Sequence, residues 1–132
     1  EQYWMKELAV HETAALIQNV LLSKKAYLLK DDYGTLEYLL QVFKEVSKAC
    51  KNIAEYEIIL CGREKQSEIG SVIILSESGE KIASISHQFS TLIKNLKGGG
   101  GKKGGKWQGK VVNFSNSEWD VVKNYLAEYV GK

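Results

Sequence analysis

YEIILCGREKQSEIGSVIILS, residues 56–76, decides the architecture. YEIILC (56–61) and SVIILS (71–76) are short, β-branched apolar runs of strand length, and the polar segment GREKQSEIG between them has the composition of a connection. They read as neighbouring strands in the core of a sheet. Upstream, AYLLK (26–30) has the length of a further strand, and DDYG ends it with turn-forming residues. From Thr35 onward, Leu36, Leu39, Leu40, Phe43, Val46 and Cys50 recur at helical spacing. Glu37, Lys44, Glu45, Lys48 and Lys51 fall mostly on the other side and read as a solvated face. Residues 3–20 place Trp4, Leu8, His11 and Ala15 on one stripe with Leu16 and Ile17 beside it, which predicts a leading helix.

Downstream, SESGEK (76–81) reads as a turn, and Ile85, Phe89, Leu92, Ile93 and Leu96 predict a helix over 84–96 that runs directly into four glycines. VVNF (111–114) reads as an edge strand. Ser117 with Asp120 three residues on resembles a capping box opening a last helix through Val130. The expected fold is therefore α/β (α+β): a single globular domain with a central sheet flanked by helices. Residues 1–22 form a helical lead-in and residues 23–132 the globular part, with a glycine-rich loop at 98–109.

The 132 residues suit one ordinary domain, and 44% apolar with 26% charged residues is a globular composition. No stretch reaches the roughly 18 consecutive apolar residues of a membrane span, so no membrane partner is expected. The chain starts at Glu1, and EQYWMKELAVHE lacks the layout of a signal peptide, so a fragment of a larger protein is expected. Cys50 and Cys61 have no CxxC spacing and no ligand-spaced neighbours, which predicts reduced, part-buried thiols of an intracellular protein, with no metal and no cofactor. His11 and His87 are isolated and read as polar helix residues rather than general bases. Trp4 and Trp119 read as core or contact residues, and no catalytic constellation emerges.

A net charge of +2 identifies no partner, but its distribution is uneven. Lys94, Lys97, Lys102, Lys103, Lys106 and Lys110 occupy a segment without Asp or Glu. That is the pattern of an anion-binding surface. Gly98, Gly99, Gly100 and Gly101 lack a Cβ, so their backbone N–H groups can approach a phosphate closely, while the lysines release counterions from a nucleic acid. Trp107 offers a stacking or packing surface. The plain alternative is a flexible linker kept soluble by its lysines. Against it, the tract lies within a domain, where long loops are usually functional. It is not a Walker A loop, since no Ser or Thr follows a lysine there.

The order of features from Ala26 to Val130 resembles the C-terminal, DHH-associated domain (C-Ala) of alanyl-tRNA synthetases. The resemblance rests on LEYLLQVFKEVSKA, YEIILC, SVIILSESGEK, FSTLIKNL and above all LIKNLKGGGGKKGGKWQGK (92–110), and covers about four-fifths of the chain. The lead-in to about Val20 is similar to the helical segment joining this domain to the editing domain in that family. Gly98 to Gly101 match the family's glycine run, Lys102 its usual basic residue, and Gln108 is nearest to its glutamine. The pattern departs at Lys103, Gly104, Gly105 and Lys106, where the family commonly has Pro, Asp, Met and Ala, and Trp107 is also unexpected.

The resemblance implies a non-catalytic accessory domain that binds the elbow of tRNA, here tRNA-Ala, and helps couple aminoacylation with editing. It further implies the rest of a synthetase chain as partner and a cytoplasmic or mitochondrial parent. Two other functions compete. One is the substrate-binding domain of a DHH phosphoesterase, whose metal-binding Asp and His motifs this chain lacks. The other is an interaction module that has lost tRNA binding and forms a homodimer through the leading helix, which an exposed apolar stripe there would favour.

Overall fold

The two apolar runs pair with each other as antiparallel strands, β2 (Glu57–Glu64) and β3 (Ile69–Ser76), inside a five-stranded mixed sheet. In the computed structural model the backbone is described for residues 2–31, 34–51, 55–64 and 68–131, and side chains within those segments from residue 7 to 129. Of the connections expected from the sequence, Asp32, Tyr33 and residues 65–67 lie outside the described residues, as does the side chain of Trp4. The remaining elements are α1 (Gln2–Ser23), β1 (Lys25–Asp31), α2 (Leu36–Ala49), α3 (Gly79–Leu92), β4 (Leu96–Gly100), β5 (Gly105–Val111) and α4 (Asn116–Gly131). The sheet runs β1-β2-β3-β5-β4, with β1 parallel to β2 through the α2 crossover and every other pair antiparallel. This is the expected α+β domain.

Successive side chains of a strand point to opposite faces. Ile58, Leu60, Ile73 and Leu75 pack under α1 and α2, whereas Ile59, Cys61, Val72 and Ile74 pack under α3 and α4. Helices on both sides explain why these two runs are apolar throughout rather than alternating. Both Cys50 and Cys61 are free and buried. Burial in the sheet pushes the Cys61 thiol up to about 12, with the Arg63 charge opposing the shift.

Thr35 caps α2 by accepting from the backbone N–H of Tyr38 at 3.1 Å. On α1 the buried stripe is Ala9, Thr13, Leu16 and Val20, and His11 and Ala15 are exposed. This stripe is rotated by about 140°, over a third of a turn, from the expected one, because α1 must meet both α2 and β1, and Leu8 and Ile17 pack at its margins. The lead-in helix thus shares one core with the strands.

Four expectations near the C-terminus are corrected. The helix predicted at 84–96 is α3 at Gly79–Leu92: Ser78 caps it from the segment read as a turn, and the chain becomes extended at Ile93. The run from Leu96 is not helix and loop but strand β4, because glycine is a poor helix former and β5 supplies a partner. The expected edge strand at VVNF does not form: only Val111 of it is in a strand, as the last residue of β5, which begins at Gly105 and lies inside the sheet, so β4 is the edge. The capping box uses Ser115 and Glu118 rather than Ser117 and Asp120. The Ser115 hydroxyl accepts from Glu118 N–H at 3.2 Å while Glu118 Oε1 accepts from Ser115 N–H at 3.2 Å.

Candidate nucleic-acid interface

The basic segment folds into the β4–β5 hairpin, which distributes its residues among three surfaces. Register puts Leu96, Gly98 and Gly100 with Val111, Gly109 and Trp107 on the face that meets α3 and α4. Trp107 is buried there, so of the stacking or packing expected of it the packing is what it does. A Cβ on Gly98 or Gly109 would come within 2.5 Å of the Trp107 ring. These two glycines make room for the indole.

The opposite face of the hairpin carries Lys97, Gly99, Lys106, Gln108 and Lys110. On this face α1 packs on β1, and α2 on β2 and β3, which leaves the half formed by β5 and β4 open. Lys97 and Lys110 are exposed and directly paired in register. A Cβ on Gly99 would meet nothing within 4 Å. Lys106 is partly buried: its ammonium lies 5.1 Å from the centre of the Phe43 ring on α2 and donates to Gln108 Oε1 at 3.3 Å.

The third surface is the hairpin tip. Lys102 and Lys103 are exposed between Gly101 and Gly104, whose φ values are +72° and +93°. The tip tucks against the β3–α3 connection so tightly that a Cβ on Gly104 would lie 2.1 Å from the Glu77 carbonyl oxygen, and one on Gly79 2.1 Å from that of Lys102. The tip is thus held rather than free. Beside it, Gly98–Gly101 on the sheet edge face Ile82, Ala83 and Ser86 of α3 across a groove of roughly 270 Å³. As an edge strand, β4 presents unpaired backbone N–H and C=O groups outward.

Lys94 stands apart, at the corner between α3 and β4, where its backbone N–H donates to Glu118 Oε2 at 2.7 Å. Burial works against ionisation of Glu118, but the N–H groups of Lys94 and Ser115 and the Ser115 hydroxyl outweigh it and hold the carboxyl below the usual range. A second hollow of about 300 Å³ lies at that end of the hairpin, lined by Lys94, Asn95, Leu96, Lys97, Lys110 and Val112. Lys97, Lys102, Lys103 and Lys110 form no ion pair with any described residue.

Elsewhere the polar interior is structural. Arg63, 2% exposed, makes a two-pronged ion pair with Asp31 at 3.0 Å, donates to the Phe114 carbonyl and lies over the Trp119 ring. Glu57 accepts from the Tyr129 hydroxyl and pairs with Lys81 at 3.0 Å, tying α4 and α3 to β2. Burial first, then the Glu57 carboxylate, pushes the Tyr129 hydroxyl well above its ordinary range. His11 and His87 are exposed. Among the described residues no cluster of His, Cys, Asp and Glu is arranged to hold a metal, and no helix is long and apolar enough to cross a membrane.

Sequence reasoning missed Phe43 as part of this surface. Its helical period reads as core, and only the approach of Lys106 from β5 reveals its outward flank.

No protein-family model matches the chain. It is 52% identical over 130 residues, 96% of its length, to a Saccharomyces cerevisiae (strain ATCC 204508 / S288c) protein named as a candidate alanyl-tRNA editing protein, alaX. The chain spans 28% of that relative's length and is its homologue over this portion.

Proposed function

We propose that this domain is the non-catalytic, tRNA-holding part of an alanyl-tRNA editing protein, with tRNA-Ala as the nucleic acid it engages. The observation that carries the reading is the glycine edge strand β4, which exposes backbone donors beside a groove and ends in the unpaired Lys102 and Lys103. Backbone N–H groups and lysines together suit phosphates, and neither selects a base, so the domain grips the shape and charge of its RNA. The relative's name favours an editing protein over a synthetase as the parent. Contact with the tRNA elbow is the finer form of this proposal, and it is the orientation that raises the effective concentration of the aminoacyl end at a distant editing site.

The test is a salt titration of tRNA binding, with an unstructured RNA and duplex DNA as competitors. Tight, salt-sensitive binding that prefers tRNA supports the reading, and Lys102→Ala with Lys103→Ala lowers both affinity and salt slope. Absence of RNA binding refutes it. In that case the reading favoured is an interaction module, for which α1 offers Val10, Leu21 and Leu22, exposed by 49, 63 and 86%. A mass that rises with concentration would identify it.

A further inference from the structure

The RNA reading rests on the tip and the outer edge of the hairpin, and the open half of the sheet face is a separate surface. It combines a floor of Lys97, Gly99, Gln108 and Lys110 with a wall formed by α2, from which the Phe43 ring meets Lys106. Alternating polar side chains are expected of any strand with one wet face, and lysine on an edge strand also discourages aggregation. Three features exceed that default. Three of the lysines, Lys97, Lys106 and Lys110, lie on this face, and the segment 94–110 that forms its floor contributes no carboxylate. A partly exposed aromatic ring, Phe43, borders it, with the Lys106 ammonium over its face. And Gly99, opposite Gln108, leaves the floor flat, since its missing Cβ would have projected into empty space.

We propose that this shelf binds an unpaired stretch of RNA, with a base stacked on Phe43 in place of the Lys106 ammonium. The displaced Lys106, with Lys97 and Lys110, meets the phosphates, and Gln108, freed from Lys106, offers its amide to a base edge. An aromatic ring beside a basic track is the combination that recognises single strands, because every base has a π-face to stack while a duplex hides it. Lys97 and Lys110 also line the 300 Å³ hollow at the end of the hairpin, over an apolar patch of Leu96 and Val112, which continues the track around the sheet edge.

This inference depends on the RNA reading above, and the experiment separates the two. The full-length protein carrying this chain is titrated with tRNA, with an oligouridine and with a fully paired RNA hairpin. Phe43→Leu weakens oligouridine binding about 5- to 150-fold and leaves the paired hairpin unchanged. Lys97→Ala with Lys110→Ala lowers the salt slope for oligouridine by about 1.4, two single-strand phosphate contacts. The double lysine variant removes only exposed side chains, so it remains decisive if Phe43→Leu loosens the core. Equal losses for oligouridine and paired hairpin overturn the single-strand assignment. If the shelf variants bind as the wild type does while the Lys102 and Lys103 variant is impaired, the shelf is refuted and the RNA reading stands. A wild-type protein that binds no RNA refutes both.

Discussion

Replacing Gly104 by alanine tests whether the hairpin tip is a held element or a loose loop. Gly104 has φ +93°, where an L side chain costs about 1–2 kcal/mol, and its new Cβ would press on the Glu77 carbonyl from 2.1 Å. Relieving that overlap by shifting backbone adds about 1–3 kcal/mol. The sum, about 2–5 kcal/mol, corresponds to a fall of roughly 6–20 °C in Tm for a domain of this length. Gly99 is the internal control. It has ordinary φ and open space around its Cβ, so Gly99→Ala restricts the unfolded chain without straining the folded one and raises stability by about 0.4–1 kcal/mol. Both variants are compared by circular-dichroism melts at one pH and concentration, with urea midpoints as a second measure. A Gly104→Ala protein that melts with the wild type would refute the packed tip, and with it the claim that Lys102 and Lys103 are presented in a fixed position.

Other predictions follow from single contacts. Ser115→Ala removes half of the capping box and costs about 0.5–2 kcal/mol by urea unfolding. Because the Glu118 carboxyl is held below its unfolded value, its contribution is complete above the unfolded pKa and is lost as pH falls through the folded one. Glu118→Gln therefore flattens the acid limb of stability against pH, and an unchanged limb would contradict the cap geometry. Asp31→Ala leaves the Arg63 guanidinium with the Phe114 carbonyl and two ring faces, and destabilises by about 1–3 kcal/mol. The Cys61 thiol, raised by burial to about 12, resists alkylation at pH 9 in the folded protein and reacts once urea unfolds it; rapid native labelling of Cys61 would disprove its burial.

The sequence made the centre of the fold legible and its margins less so. YEIILC and SVIILS are unambiguous because a strand with helices on both faces needs apolar residues at every position. β4 was not legible, since glycine carries neither period nor propensity and LKGGG is a strand only because β5 lies beside it. Two overlapping cap patterns exist in SNSEWD (115–120), and spacing alone does not choose between Ser115 with Glu118 and Ser117 with Asp120. The basic segment was found as a stretch of sequence, but its division into tip, shelf and corner depends on strand register. One residue of slip would have sent the lysines of the floor inward and Trp107 outward.

The bond from Tyr129 on α4 to Glu57 on β2 has a consequence for the order in which the protein is made. The ribosome delivers Ile59, Cys61, Val72 and Ile74 long before Trp119, Val122 and Leu126, the α4 residues that complete the roof begun by α3. During that interval only α3, through Ile82, Ile85 and Phe89, roofs this side of the nascent sheet, so part of it stays an apolar surface without a lid, and α1 and α2 shelter the other side. Maturation of the domain therefore waits for its last helix, and a chain released after Val111 would be a substrate for chaperones and proteases rather than a smaller working domain.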